Sequence, residues 1–292
     1  MAPRIVTVAM ALSSKVKSMK KLLFILILLF PSLGSAQTAD ELSEYVHFFS
    51  ADGRVEGSER MFMCQEYIRW LCESWGYETE LQKMGKCYNV LAWKKGTEPG
   101  IVVIGSHLDT YGNRPGADDN ASGSAMTLGL AHQYAQVKPK YTMLFMWFTG
   151  EERGLVGSRY YTNNPKWPIK DHIFMINFDM VGRLSTRYKD VPDINVNAII
   201  RKLGSRFSFA KNITYQNGRR SDQSSFANKG IPVVWLFTGT HNDYHKSSDT
   251  PNKINYKGMA LIAGYAKAII DEVVPTKLEY ILEGLPELNE DH

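Results

Sequence analysis

From residue 88 onward the chain carries short apolar runs of strand length, at 88–93, 101–105, 143–148, 173–178 and 232–237. Several are apolar at consecutive positions rather than alternate ones, which suits strands covered on both faces. Elsewhere the apolar residues return at helical spacing. Met61, Tyr67, Ile68 and Leu71 share one face of a helix predicted over 57–76, and Gly76 is placed to end it. Further helices are predicted over 39–50, 121–136, 157–163, 193–203 and 255–274. Strands alternating with helices define an α/β chain folded as a three-layer α/β/α domain. No Pro-, Gly- or Ser-rich linker and no internal repeat divides residues 37–292, so they are expected to form one domain.

The first 36 residues have a different pattern. Lys20 and Lys21 precede an unbroken apolar run from Leu22 to Phe30, followed by Pro31 and the small residues Gly34, Ser35 and Ala36. Charge, apolar run and small residues in that order form a secretory signal peptide, and the run is too short to span a bilayer as a helix. Met19 stands directly before Lys20, so residues 1–18 read as an extension from a misassigned start. The expected destination is the periplasm or the outside of the cell, with no stable membrane insertion after the leader is removed.

The leader changes the meaning of the net charge. The whole chain has 34 Lys and Arg against 30 Asp and Glu, or +4. Arg4, Lys15, Lys17, Lys20 and Lys21 all lie in the leader, which has no acid, so 29 basic and 30 acidic residues remain beyond it. No basic patch with interleaved aromatics is left there, and a nucleic-acid partner is not expected. Three cysteines remain, Cys64, Cys72 and Cys87. Cys64 and Cys72 are separated by roughly 12 Å of helical rise, too far for a disulfide. Cys87 paired with either, or three buried thiols, are both open.

The chemistry sits where strands end. The run at 101–105 leads into Ser106-His107-Leu108-Asp109, and that at 143–148 into Thr149-Gly150-Glu151-Glu152. The run at 173–178 leads into Asp179, and that at 232–237 leads on to His241, Tyr244 and His245. Asp119 precedes the helix predicted from 121. In open α/β sheets the carboxyl edge of the strands is where ligands bind. Two histidines and several carboxylates are a non-thiolate donor set for Zn²⁺. Two metals close together need a bridging carboxylate, and a further carboxylate off the metals can act as general base. Taken singly, each motif is explained by a turn, a helix cap or a solvated acidic loop. Their succession at strand ends is not.

Together the segments Gly105–Thr110, Gly116–Gly123, Thr149–Ser158, Asn177–Gly182 and Tyr244–Thr250 resemble the M28 family of two-zinc exopeptidases. The resemblance implies a zinc-exopeptidase-like α/β/α sandwich with a central mixed, mainly parallel sheet. It implies that His107 and Asp179 bind one zinc, that Glu152 and His245 bind the other, and that Asp119 bridges both. Glu151 becomes the general acid/base, Asp109 the acid that orients His107, and Tyr244 a group that polarises the scissile carbonyl. The activity implied is that of an aminopeptidase acting on peptides. Gln223 follows Asp222 where the family pattern has His, so Asp222 stays outside the main set.

Three alternatives share the fold. A carboxypeptidase or dipeptidase needs a cationic clamp for a substrate carboxylate, for which Arg183, Arg219 and Arg220 are the candidates. A glutaminyl cyclase uses a single zinc. A binding module would have lost Glu151 or a ligand, and neither is lost. Neither Gly-x-Ser-x-Gly nor His-Glu-x-x-His occurs, which excludes those hydrolase classes.

Overall fold

A computed structural model describes residues 38–184, 188–192, 203, 206–207, 213–215 and 220–273. The leader, residues 193–202 of the helix expected over 193–203, and Arg219 lie outside them.

Two helices open the domain, α1 (Ala39–Phe49) and α2 (Glu59–Ser74). Each begins at a side-chain cap. Thr38 Oγ1 accepts from the Glu41 amide and Ser58 Oγ from the Met61 amide, both at 3.1 Å. Just beyond α2, Gly76 has φ +82°, the left-handed conformation expected of a helix-ending glycine. A hairpin follows, β1 (Glu78–Met84) and β2 (Cys87–Lys94), turning through Gly85 at φ +61°. The chain then runs through β3 (Ile101–His107), α3 (Gly123–Gln133), β4 (Thr142–Phe148), α4 (Val156–Asn163) and β5 (His172–Phe178). The short β6 (Tyr188–Pro192) and β7 (Ile213–Tyr215) precede α5 (Gln223–Ala227), β8 (Val233–Phe237) and α6 (Tyr256–Val273).

The eight strands form one mixed sheet in the order β1-β2-β4-β3-β5-β8-β6-β7. Its centre is parallel: β3 pairs in parallel with β4 and β5, and β5 with β8. Antiparallel pairs stand outside this centre, β1 with β2, β2 with β4, and β6 with β8. The consecutive apolar residues of the central strands divide between two cores. Val102, Ile104, Phe145 and Trp147 face one core with the buried sides of α1, α2, α3 and α6. Ile101, Val103, Leu144 and Met146 face the other, with Tyr161 of α4 and Phe226 of α5. The sheet is therefore covered on both faces, as the unbroken runs require. Among the described residues no helix is long and apolar enough to cross a membrane. Cys64, Cys72 and Cys87 are free thiols, the first two buried, so the disulfide alternative is not realised.

The helix predicted over 121–136 begins later. An irregular turn, Ala117–Ser122, precedes it, and Asp119 and Asn120 have non-helical backbone angles there. Asn120 accounts for the difference. Its Oδ1 accepts from the amides of Gly123 (2.9 Å) and Met180 (3.2 Å), and its Nδ2 donates to Phe178 O (2.9 Å). A side chain satisfying main-chain groups on a neighbouring strand competes with helix formation.

Candidate metal centre

The four parallel strands β3, β4, β5 and β8 point their carboxyl ends at one edge of the sheet. The edge gathers His107, Glu151 and Glu152, Asp179, and His245. The turn before α3 adds Asp119. His107 Nε2 lies 3.3 Å from Asp179 Oδ1 and 3.4 Å from Asp119 Oδ1. His245 Nε2 lies 3.1 Å from Asp119 Oδ2 and 3.1 Å from Glu152 Oε2. The two oxygens of Asp119 thus face different histidines. The result is two triads of donor atoms, His107-Asp119-Asp179 and Asp119-Glu152-His245, each with its atoms within 4.8 Å of one another.

This arrangement fits metal ions on grounds of satisfaction as well as spacing. Glu152 Oε1 is buried and has no hydrogen-bond partner. Orphaned polar atoms of this kind are rare in a finished interior and call for an unseen partner. The electrostatics agree. Burial raises the pKa of Glu151, with Asp179, Asp222 and Asp109 adding to the effect. Burial and the Asp119 charge do the same to Glu152. Burial opposes ionisation of Asp119, but hydrogen bonds with His107 and His245 hold it well below the usual carboxylate range. A crowd of buried acids is stable only with protons or cations among them.

The shell around the triads is built from main-chain groups. Asp109 is buried, and its carboxylate accepts from the amides of Glu151 and Glu152, both at 3.2 Å. It lies farther from the ring it was expected to orient, with Oδ1 3.7 Å from His107 Nδ1. The carbonyl oxygen of Asp109 is nearer to that nitrogen, at 3.2 Å. Asp109 therefore ties the His107 loop to the Glu151-Glu152 turn. Asp249 does similar work for Asp119: its carboxylate accepts from the amides of Asp118 (2.9 Å) and Asp119 (3.0 Å). His245 itself has φ +56°, a left-handed conformation that a non-glycine residue rarely holds and that is typical of functional sites.

Tyr244 is 39% exposed, and its ring stacks on His245 with centroids 3.7 Å apart. Tyr111, which sequence reasoning did not single out, stacks on His245 at 4.1 Å with the two ring planes almost parallel, at 2°. A cleft lined by Thr110, Tyr111, Arg114, Asp119, His245 and Lys246 opens from the donor cluster. Two other residues were missed, Asp249 and Arg54, while His241, named at a strand end but given no role, has its Nε2 3.0 Å from buried Asp118. The acid pair within 116–123 and the lone acid within 244–250 were the available signal for Asp118 and Asp249, but nothing in sequence marked Arg54. Of the clamp candidates, Arg183 already pairs with Asp243 and Asp249, each at 3.3 Å, and Arg220 is exposed. Gln223, in place of the family His, accepts from Asn177 Nδ2 at 2.9 Å, and Asp222 beside it is fully buried.

Fold and site together define an α/β/α sandwich with a histidine–carboxylate centre at the carboxyl edge of its parallel strands. The chain belongs to peptidase family M28, whose family model matches residues 89–270. It is 33% identical over 234 residues to leupeptin-inactivating enzyme 1 of Streptomyces exfoliatus, which covers 76% of this chain and 53% of that protein. The chain therefore spans about half the length of that relative. Its fold is shared by an aminopeptidase from Aneurinibacillus sp. strain AM-1, with TM-score 0.73 and 19% identity over 82% of this chain and 95% of the other. It is shared equally by a glutaminyl cyclase of Bacteroides thetaiotaomicron, with TM-score 0.71 and 18% identity over 82% and 99%.

Proposed function

We propose that the chain is a zinc exopeptidase, specifically an aminopeptidase that removes N-terminal residues from peptides. The observation that carries this reading is the position of Asp119, with one oxygen toward His107 and the other toward His245. In this reading His107 and Asp179 hold one Zn²⁺, Glu152 and His245 a second, and Asp119 joins them. Two zinc ions held there supply Lewis-acid polarisation of the scissile carbonyl and a water acidic enough to ionise near neutral pH. The rest of the work belongs to the chain. Glu151 belongs to neither triad, and its amide is fixed by Asp109. Its carboxylate takes a proton from the attacking water and delivers it to the nitrogen that leaves. Asp109 keeps Glu151 and Glu152 in register with the His107 loop. In this reading Tyr244, whose ring stacks on His245, donates to the developing oxyanion.

Arg183, one of the three clamp candidates for a substrate carboxylate, is already paired with Asp243 and Asp249, which weighs for the aminopeptidase direction. Residues 1–36 are read as a leader cleaved near Ala36, with the peptidase domain, 37–292, exported. The test is a panel of peptides with free and acetylated N-termini, assayed alongside elemental analysis of the same sample. Hydrolysis confined to free N-termini with two zinc ions per chain is expected. One zinc at full activity, or cyclisation of N-terminal glutamine in place of hydrolysis, would establish the cyclase reading instead.

A further inference from the structure

The connector between α1 and α2, residues 50–58, lies before the family match, which begins at residue 89. It nevertheless reaches both loops that carry the candidate ligands. Arg54 is 0% exposed, and its guanidinium donates only to main-chain carbonyls. Nε donates to Leu108 O at 2.7 Å, Nη1 to Phe49 O and Pro115 O at 2.8 Å, and Nη2 to Gly116 O at 2.9 Å. The Arg54 amide donates to Thr110 Oγ1 at 2.9 Å, and its carbonyl accepts from the Thr110 amide at 3.3 Å. Leu108 directly follows His107, and Gly116 comes three residues before Asp119. One side chain therefore fastens both ends of the 108–116 strap that joins a terminal ligand to the bridging one.

Two further observations extend the grip. A Cβ at Gly53 would stand 2.6 Å from Asn113 Cα and 2.8 Å from Arg114 N, so connector and strap meet main chain to main chain. Glu56 pairs with Arg153, and its Oε1 lies against Gly150, where a Cβ would be 2.9 Å away. Residues 150–153 contain Glu151 and Glu152. The connector thus touches both the 108–116 strap and the 150–153 turn. Burial lowers the pKa of the Arg54 guanidinium to about 10, which leaves it charged at neutral pH. Five donors in a rigid fork can meet four carbonyls at once, and a lysine ammonium with three donors on one nitrogen cannot.

We propose that this connector, with Arg54 as its positioning residue, sets the separation of the two ligand-bearing loops and thereby the metal affinity of the centre. The proposal rests on the metal reading of the site. Its test measures zinc affinity directly, by competition with a chromophoric chelator on the full chain, together with Tm and kcat. Arg54→Lys keeps the charge and loses the fork. Gly53→Ala keeps Arg54 and forces connector and strap apart. In both, zinc binding should weaken by about 10–100-fold, the usual range when a group supporting a ligand is lost. Activity at limiting zinc should fall in step, and kcat should recover toward wild type at saturating zinc. Val46→Ala, a buried α1 change whose side chain makes none of these bonds, should lower Tm without moving zinc affinity. Unchanged zinc affinity in Arg54→Lys and Gly53→Ala, with only Tm reduced, overturns the proposal. If Arg54→Lys does not fold, Gly53→Ala and Glu56→Gln decide by the same criterion. Wild-type chain that binds no zinc sinks the metal reading itself and this proposal with it.

Discussion

Glu152 Oε2 lies 3.1 Å from His245 Nε2, whereas its neighbour Glu151 belongs to neither donor triad. Their backbone amides are held by the two oxygens of one carboxylate, that of Asp109. In the proposed mechanism these adjacent, similar side chains on a shared anchor divide two jobs, and substitution can separate them. Glu151→Gln keeps volume and most hydrogen-bonding capacity but loses the basic oxygen. Zinc content and fold should survive, and kcat should fall by about 10²–10⁴, the usual contribution of a positioned acid/base. Glu152→Gln should weaken zinc first, with activity falling as occupancy falls. Both quantities are read on the same samples. If Glu151→Gln loses zinc and Glu152→Gln keeps it, the two roles are reversed. If Glu151→Gln keeps near-normal kcat, the proton-transfer mechanism is wrong.

The central strands were legible because burial on both faces writes itself as consecutive apolar residues, and the candidate ligands stood out because His107, Glu152, Asp179 and His245 come after such runs and Asp119 comes before a helix. The edges were harder. β1, Glu-Thr-Glu-Leu-Gln-Lys-Met, is a charged edge strand whose polar residues hide its pairing with β2. The start of α3 was placed early because the side-chain bonds of Asn120 to Met180 and Phe178 are long-range and leave no local mark. Arg54 was invisible for the same reason, since its carbonyl partners run from Phe49 to Gly116. A comparable long-range tie joins α4 to the start of β5. His172 is buried, Tyr161 Oη lies 2.8 Å from its Nε2, and Pro168 O lies 3.2 Å from its Nδ1. Burial lowers its pKa below the ordinary histidine value. A histidine depressed in the folded state is neutral there when its unfolded counterpart, at about 6.5, begins to protonate. The unfolded chain then binds more protons, so stability is present above about pH 6.5 and is lost as pH falls toward the folded pKa. His172→Gln should be less stable at pH 8 yet lose less on going from pH 7 to pH 5. Denaturant titrations at several pH values measure this, and an unchanged acid slope would remove His172 from the account.

Across the whole molecule, the sheet brings acids together faster than it supplies cations to offset them. Asp109, Asp118, Asp119, Asp179, Asp222 and Asp249 are all buried at or beside one edge. Arg54 is committed to carbonyls, and Arg183 to Asp243 and Asp249. In the proposed reading, bound metal is then part of what holds the domain together as well as part of its chemistry. A ligand that binds the folded state alone stabilises it by about 2.7 kcal/mol at one hundred times its dissociation constant. Each kcal/mol moves Tm by roughly 2–4 °C for a domain of this size. Removing zinc with a chelator should therefore lower Tm by about 5–10 °C or more. Adding zinc back should restore it, with Tm rising with the logarithm of free zinc. Because Asp119 is common to both triads, vacating one site also alters the other, and restoration should follow uptake of two ions rather than one. Calorimetry across a zinc titration, with bound metal counted at each point, measures this. A Tm indifferent to chelation would mean that the carboxylates at this edge hold protons in place of metal, and the two-zinc reading would fail with it.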